Sequence, residues 1–302
     1  RTIRAAVVFR DNGYGTPILI GREEQVRETM KTLGINDASG MEIHNARLST
    51  RNAPYTDLVY ARLQRDGYLR RDIQRMVNQG RNVFGACMVA MGDADGMVTG
   101  ITRRFPECYS DVKRVIDVEA DRVPMGYSIV VARHGTVFLA DTAINETPSP
   151  EELATIARQM ARNARQMGHE PRVAFLSFSN FGSREIERID RIRKAIRILQ
   201  AEKVDFEFDG EMQADMALDY ELLRETYPFC RLTGPANVLV MPGLHSAHIS
   251  SRLMQRLGGV TVIGPVIDGL QKPVQIVQMG ATVSDLVNHA ALAAYGALKA
   301  RR

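Results

Sequence analysis

Several groups of residues have types and spacing that bear on chemistry. Ser177, Ser179, Asn180, Gly182 and Ser183 crowd small donors into a turn between an apolar run and a helical one. Such a turn offers backbone N–H groups to an anion, although an ordinary capped turn has the same composition. His245 and His248 stand three apart, as a helical metal pair would. No glutamate lies between them and no third ligand is evident, so the H-E-x-x-H pattern fails and a polar lining suits His245 better. Asp93 and Asp95 flank a glycine turn that lacks the other ligands of a calcium loop. Asp209 and Glu211 bracket Gly210, a carboxylate pair on what reads as a turn after a strand. Thr282 and Asp285 have the spacing of a capping box at the start of a final helix, which gives Asp285 a structural reading. Cys87, Cys108 and Cys230 are odd in number and have no metal-like spacing, so a reduced cytoplasm is the expected home.

The elements that must position these groups follow from periodicity and punctuation. Residues 3–9, 17–20 and 41–43 read as strands, and 24–33 as a helix stopped by Gly34. Residues 55–79 read as helical with a break near Gly67, and 83–91 suit a buried helix. A strand is predicted at 97–99, a helix at 111–118, and a hairpin from strands 127–132 and 136–140. Ser149, Pro150 and Glu152 spell a helix start, with Ser149 as cap and Glu152 closing a capping box. A strand follows at 173–178, a helix that Ser183 can cap, a strand at 205–208 and a helix at 211–219. The last third alternates a strand at 237–241, a helix ended by Gly258–Gly259, a strand at 260–263 ended by Gly264–Pro265, an extended piece from Lys272, and a helix over 283–298. Strands alternating with helices require a mainly parallel sheet, and ligands of such sheets sit where strands end and helices begin. Residues 241–245, 264–272 and 278–285 are therefore the expected site walls.

The same stretches carry a family resemblance. Residues 236–242 (ANVLVMP), a helix ending QRLGG, then IGPVIDGLQKPV and TVSDLVN resemble the C-terminal core of phosphate acetyltransferases and butyryltransferases. Upstream, GDADGMVTG (92–100), FLADTAINETPSPEELA (138–154), LSFSNFGS (176–183) and DGEMQADMAL (209–218) continue it in the family's order. LSFSNFGS is most similar to the version fused behind bacterial NADP-dependent malic enzymes. The resemblance implies two α/β domains with a cleft between them, the first discontinuous: residues 1–144 with 272–302, and 145–271. It implies a homodimer or higher oligomer, and a cleft that takes CoA or acetyl-CoA. Ser177, Ser179, Asn180, Gly182, Asn237, His245, Lys272, Gln278 and Asp285 are the ligand contacts it suggests. Transacetylases carry Leu-Ser-Arg-Gly before the final helix. Here Gln278 takes the place of the serine and Met279 that of the arginine, leaving Asp285, whose family counterpart is taken as the base for the CoA thiol. A further family arginine aligns with Lys113, which cannot bind phosphate bidentately. Methionine offers no N–H donor. Losing a donor to a developing oxyanion costs about 10²–10³ in rate.

Composition sets the outer bounds. The chain has 302 residues, a formal net charge of +4 and 25% charged residues, the profile of a globular protein of one or two domains. Arginines are spread along the chain, which suits a solvated surface or a small anionic ligand rather than nucleic acid. No apolar run approaches membrane-spanning length. The start at Arg1 suits an excised domain or a trimmed start. The expected function is an acetyl-CoA-sensing, non-catalytic transacetylase-like domain of an NADP-dependent malic enzyme. NADP and a divalent metal then belong to an N-terminal malic-enzyme domain, since no G-x-G-x-x-G occurs in these residues. An active phosphate acetyltransferase or butyryltransferase is the alternative, and a ligand-free oligomerisation domain is a third.

Overall fold

A computed structural model describes residues 1–133, 135–182 and 187–300, except the side chain of Arg188. The expected helix cap at Ser183 lies outside them. In chain order the elements are α1 (Thr2–Asp11), β1 (Ile18–Ile20), α2 (Glu23–Thr32), β2 (Glu42–His44), α3 (Asn52–Leu63), α4 (Arg70–Gln79), α5 (Arg81–Ala90), β3 (Met97–Thr99), α6 (Phe105–Lys113), β4 (Met125–Ala132), β5 (Gly135–Ala140), α7 (Pro150–Gln166), β6 (Arg172–Leu176), α8 (Glu187–Glu202), β7 (Glu207–Met212), α9 (Ala214–Leu218), α10 (Tyr220–Thr226), β8 (Val238–Val240), α11 (Leu244–Leu257), β9 (Thr261–Asp268), β10 (Val274–Ile276) and α12 (Val283–Ala300). The architecture is mixed α/β with mainly parallel sheets, and it divides into two compact units, 1–117 with 270–302 and 118–269. Residues 118–144 fall in the second unit rather than the first, because their hairpin is hydrogen-bonded into that unit's sheet. Among the described residues, no helix is long and apolar enough to cross a membrane.

The first unit has two short parallel ladders, β1 with β2 and β10 with β3. Buried α5 passes close to both, and at Gly85 an added Cβ would lie 3.1 Å from Ile20 and 3.4 Å from Met97. Phe84 meets Tyr55 edge to face at 5.2 Å. Tyr55 in turn donates its hydroxyl to Asp93 at 2.6 Å, and Arg51 holds the same carboxylate. The turn at residues 92–96 is thus a structural tie. Residues 3–9, read as a strand, are helix. Their β-branched Ile3, Val7 and Val8 favour extended backbone, but α1 buries Ala5 in a cluster with Val277, Ala281 and Leu286. Tertiary packing overrides so weak a preference. The helix placed at 111–118 lies earlier, as α6, with Pro106 in its first turn where a missing N–H costs nothing.

The second unit is built on one six-stranded sheet in the order β7-β6-β8-β5-β4-β9. The first four strands are mutually parallel, and β4 runs antiparallel to both its neighbours, β5 and β9. Leu139, Ala174 and Leu239 of the sheet cluster with Ala217, Leu223 and Ala247 of α9, α10 and α11. Each fully buried large apolar side chain adds about 1.5–3 kcal/mol. The helix start at Ser149 is a complete capping box: Ser149 Oγ accepts from the Glu152 N–H at 3.1 Å, and Glu152 accepts from the Ser149 N–H at 2.7 Å.

Two punctuation marks in the sequence are bulges inside strands. Strand β9 does not stop at Gly264–Pro265 but runs on to Asp268, with its register against β4 shifting between Tyr127 and Ile129. The edge position tolerates a proline that donates nothing to the ladder. Strand β7 likewise passes through Gly210, which the sequence reads as a turn, and continues to Met212. Register slips there too, with Phe175 opposite Gly210 and Leu176 opposite Met212. An added Cβ on Gly210 would come within 2.7 Å of the Phe175 carbonyl, so only glycine fits this approach. Glu211 is the extra residue.

Candidate functional site

Parallel pairing brings the C-terminal ends of β5, β8, β6 and β7 to one edge of the second unit's sheet. The segments leaving that edge include residues 141–148, 241–243 and 177–182, and two buried carboxylates organise them. Asp141, 3% exposed, accepts from the N–H groups of Gly126 (2.9 Å), Ala143 (2.7 Å) and Asn145 (2.6 Å), and from the Asn145 side chain at 2.7 Å. Burial raises its carboxyl above the ordinary range, against the pull of those backbone donors. The segment it holds is joined to the next, since Leu244 N–H donates to the Asn145 carbonyl at 3.2 Å. Arg191 of α8 donates to the Pro242 carbonyl at 2.8 Å.

Glu211, 1% exposed, does the same for residues 177–182. Its Oε1 accepts from the Gly182 N–H at 3.0 Å, Arg193 Nη2 at 3.0 Å and the Ser179 hydroxyl at 3.4 Å. Its Oε2 accepts from Arg193 Nε at 2.9 Å. The backbone carbonyl of Glu211 takes the Phe181 N–H at 2.9 Å. Asn180 accepts from the Gln213 N–H at 2.7 Å and donates to the Gln213 side chain at 3.1 Å. Phe181 is held at φ +39°, a conformation uncommon for a bulky side chain.

These contacts divide the sequence candidates. Ser179 is buried, the Asn180 amide is engaged with Gln213, and the Gly182 N–H faces the chain's own carboxylate. The half-buried Ser177 hydroxyl accepts a long bond from the Ser179 N–H, at 3.3 Å. Asn237 stands just before β8, at the opposite edge from residues 177–182. Its amide accepts from Arg172 N–H at 2.8 Å and donates to the Glu170 carbonyl at 2.8 Å, joining two strand starts. His245 is exposed in the first turn of α11. Burial and the neighbouring Arg252 hold His248 below the ordinary histidine range. Among the described residues no group of three or more His, Cys, Asp or Glu could hold a metal ion.

In the first unit, Gln278 and Met279 follow β10, with Gln278 half-buried and Met279 55% exposed. Backbone contacts fix the approach to them. Val277 N–H donates to the Thr99 carbonyl at 2.8 Å, and a Cβ on Gly100 would lie 2.0 Å from the Val277 carbonyl. Asp285 closes the capping box with Thr282. Exposed Lys272 precedes β10, so it and Gln278 stand at opposite ends of that strand. Lys113 lies over the Tyr109 ring at 5.6 Å. Sequence reasoning missed the organising roles of Glu211, Arg193, Asp141 and Gly100. The available signals were a charged residue in an apolar strand context at 141 and 211, and a glycine directly after a buried strand at 100.

The model of the family described as phosphate acetyl/butaryl transferase matches residues 1–294. The chain belongs to the phosphate acetyl/butaryl transferase family. Its relatives there include the NADP-dependent malic enzyme of Rhizobium meliloti, 53% identical over 98% of this chain and 39% of the relative. The phosphate acetyltransferase of Clostridium acetobutylicum is 30% identical over 97% of this chain and 90% of the relative. A phosphotransacetylase structure from Streptococcus pyogenes superposes with a TM-score of 0.89 at 31% identity, over 99% of this chain and 91% of that one. The chain thus spans about two fifths of the malic enzymes it matches and nearly the whole of the free-standing transferases of the family.

Proposed function

We propose that this chain is the acetyl-CoA-sensing, non-catalytic transacetylase-like domain of an NADP-dependent malic enzyme, lowering that enzyme's activity when acetyl-CoA binds. The observation that carries the reading is the uncharged Gln278–Met279 pair, where the resemblance to transacetylases expects serine and arginine. Met279 donates nothing where the resemblance expects a cation, so it can neither stabilise an oxyanion nor hold phosphate, and Gln278 keeps amide donors without a charge. Asp285, the one counterpart retained, already serves its helix. Malic enzymes that align with 98% of this chain, and of which it covers about two fifths, support the larger context. In that context NADP, a divalent metal and the chemistry on malate belong to the remainder of the polypeptide, and assembly is through a homodimer or larger oligomer in the cytoplasm. Product restraint explains the sign, because malate decarboxylation yields pyruvate, a source of acetyl-CoA. A ligand shifts activity only if it binds one conformation better than another. Coupling of the usual size changes apparent affinity about 5–150-fold.

Three measurements test this. Turnover of acetyl phosphate with CoA should be absent, and rates of ~1–10³ per second would restore the acyltransferase reading. Calorimetry should show saturable acetyl-CoA binding in the micromolar to millimolar range, about 4–8 kcal/mol. In the full-length malic enzyme, acetyl-CoA should lower malate-dependent NADPH formation, and a truncated enzyme lacking this region should not respond. Equal response of both places the effector elsewhere.

A further inference from the structure

We propose that residues 177–182 form an anion-binding turn whose slot is filled by the chain's own Glu211 carboxylate. Three kinds of donor converge there, as they would on a phosphate: the Gly182 backbone N–H, the Ser179 hydroxyl, and the Arg193 guanidinium through both Nε and Nη2. Guanidinium groups match the planar oxygens of carboxylate and the oxygens of phosphate alike, which makes the two anions interchangeable at such a fork. The carboxylate reaches the slot because the bulge in β7 adds a residue opposite the end of β6. Glu211 is 1% exposed and Arg193 only a quarter exposed, so the pair is a built, desolvated receptor rather than a surface ion pair. Breaking such a pair by removing one partner leaves an uncompensated charge. Deleting the carboxylate therefore turns the receptor toward whatever small oxyanion the solution holds. The turn that looks in sequence like a phosphate cradle is closed to phosphate in the native chain, and a ligand phosphate is held elsewhere.

The test uses inorganic phosphate against sodium chloride of equal ionic strength, with amide resonances of labelled protein as the readout. In the wild-type chain the Gly182 amide should stay unmoved up to about 10 mM phosphate, a range that saturates a millimolar site. Saturable movement there overturns the proposal. In Glu211→Gln and Glu211→Ala, the same amide should move saturably with phosphate, at least tenfold tighter than any response of the wild type. Either variant that folds and shows no saturation overturns it. Should both lose the native spectrum, phosphate should restore it where chloride does not, and failure to restore it counts equally against the proposal. Because the probe is inorganic phosphate, the outcome is independent of whether the chain binds acetyl-CoA.

Discussion

Asp285 accepts two hydrogen bonds from Thr282, from its backbone N–H at 2.8 Å and its hydroxyl at 2.8 Å, and returns its own N–H to that hydroxyl at 3.1 Å. The residue that the family resemblance offers as a base is thereby the closing half of a helix cap. Both bonds to its carboxylate run through Oδ2, and both belong to the first turn of α12. A cap of this kind contributes about 0.5–2 kcal/mol. Asp285→Ala should lower unfolding stability by that amount, and Thr282→Ala by a similar one. The double variant should lose less than the sum, since each single change removes the same reciprocal pair. Denaturant melts of the four proteins measure this; additive losses would break the cap reading.

Acid should weaken the first unit through specific carboxylates. The Tyr55 hydroxyl, and then Arg51, hold Asp93 below the ordinary carboxylate range, and Arg62 does the same for Asp117. A depressed folded-state value contributes stability that is present above the unfolded value, near 3.9, and is lost as pH falls through the folded one. Asp93→Asn should therefore destabilise the chain at pH 7, and the gap from wild type should narrow below about pH 4. Urea midpoints from pH 7 down to pH 3 check the sign, and a gap that widens in acid contradicts it.

The thiols give a separate probe of packing. Burial pushes Cys87 up to about 12 and Cys230 up to about 11, and Cys108 is also raised by burial. The thiolate is the reactive form, so native protein at pH 8 should react slowly with iodoacetamide. Cys230, the half-buried one, should be alkylated first, and all three should react once unfolded. Rapid labelling of Cys87 in native protein would show that α5 opens readily.

Local rules sufficed where one short segment decides its own structure. Ser149 and Glu152 cap α7 from four adjacent residues, and the hairpin of β4 and β5 follows from two strand-like runs separated by a short polar break before Thr136. They failed where a distant partner decides. Val7 and Val8 argue for a strand, yet Ala5 lies against Val277 and Leu286, far along the chain. Gly210 and Gly264 read as stops because glycine usually marks one, whereas each admits a neighbouring backbone inside a strand. The candidate site shows the same division. The donors of residues 177–182 are visible as a composition. The acceptor that takes them, Glu211, stands about thirty residues on, and no spacing rule links the two.

Gly100 connects stability to the segment on which the functional reading rests. It sits at φ +116°, and a Cβ there would fall 2.0 Å from the Val277 carbonyl and 2.9 Å from its carbon. Both atoms belong to backbone that β3 holds through the Thr99 carbonyl, so the methyl of Gly100→Ala cannot be accommodated by turning a side chain. The backbone conformation alone should cost about 1–3 kcal/mol, with the clash in addition. The chain's simplest relief is to move Val277 outward, carrying Gln278 and Met279 with it. If acetyl-CoA is bound by that segment, Gly100→Ala should weaken its affinity more than Asp285→Ala does, even at temperatures where both variants remain folded. Thermal melts establish the folded range, and calorimetry within it makes the comparison. An unchanged affinity in a destabilised Gly100→Ala chain would remove Gln278 and Met279 from the ligand's surroundings and leave the Gly100 contact a matter of stability alone.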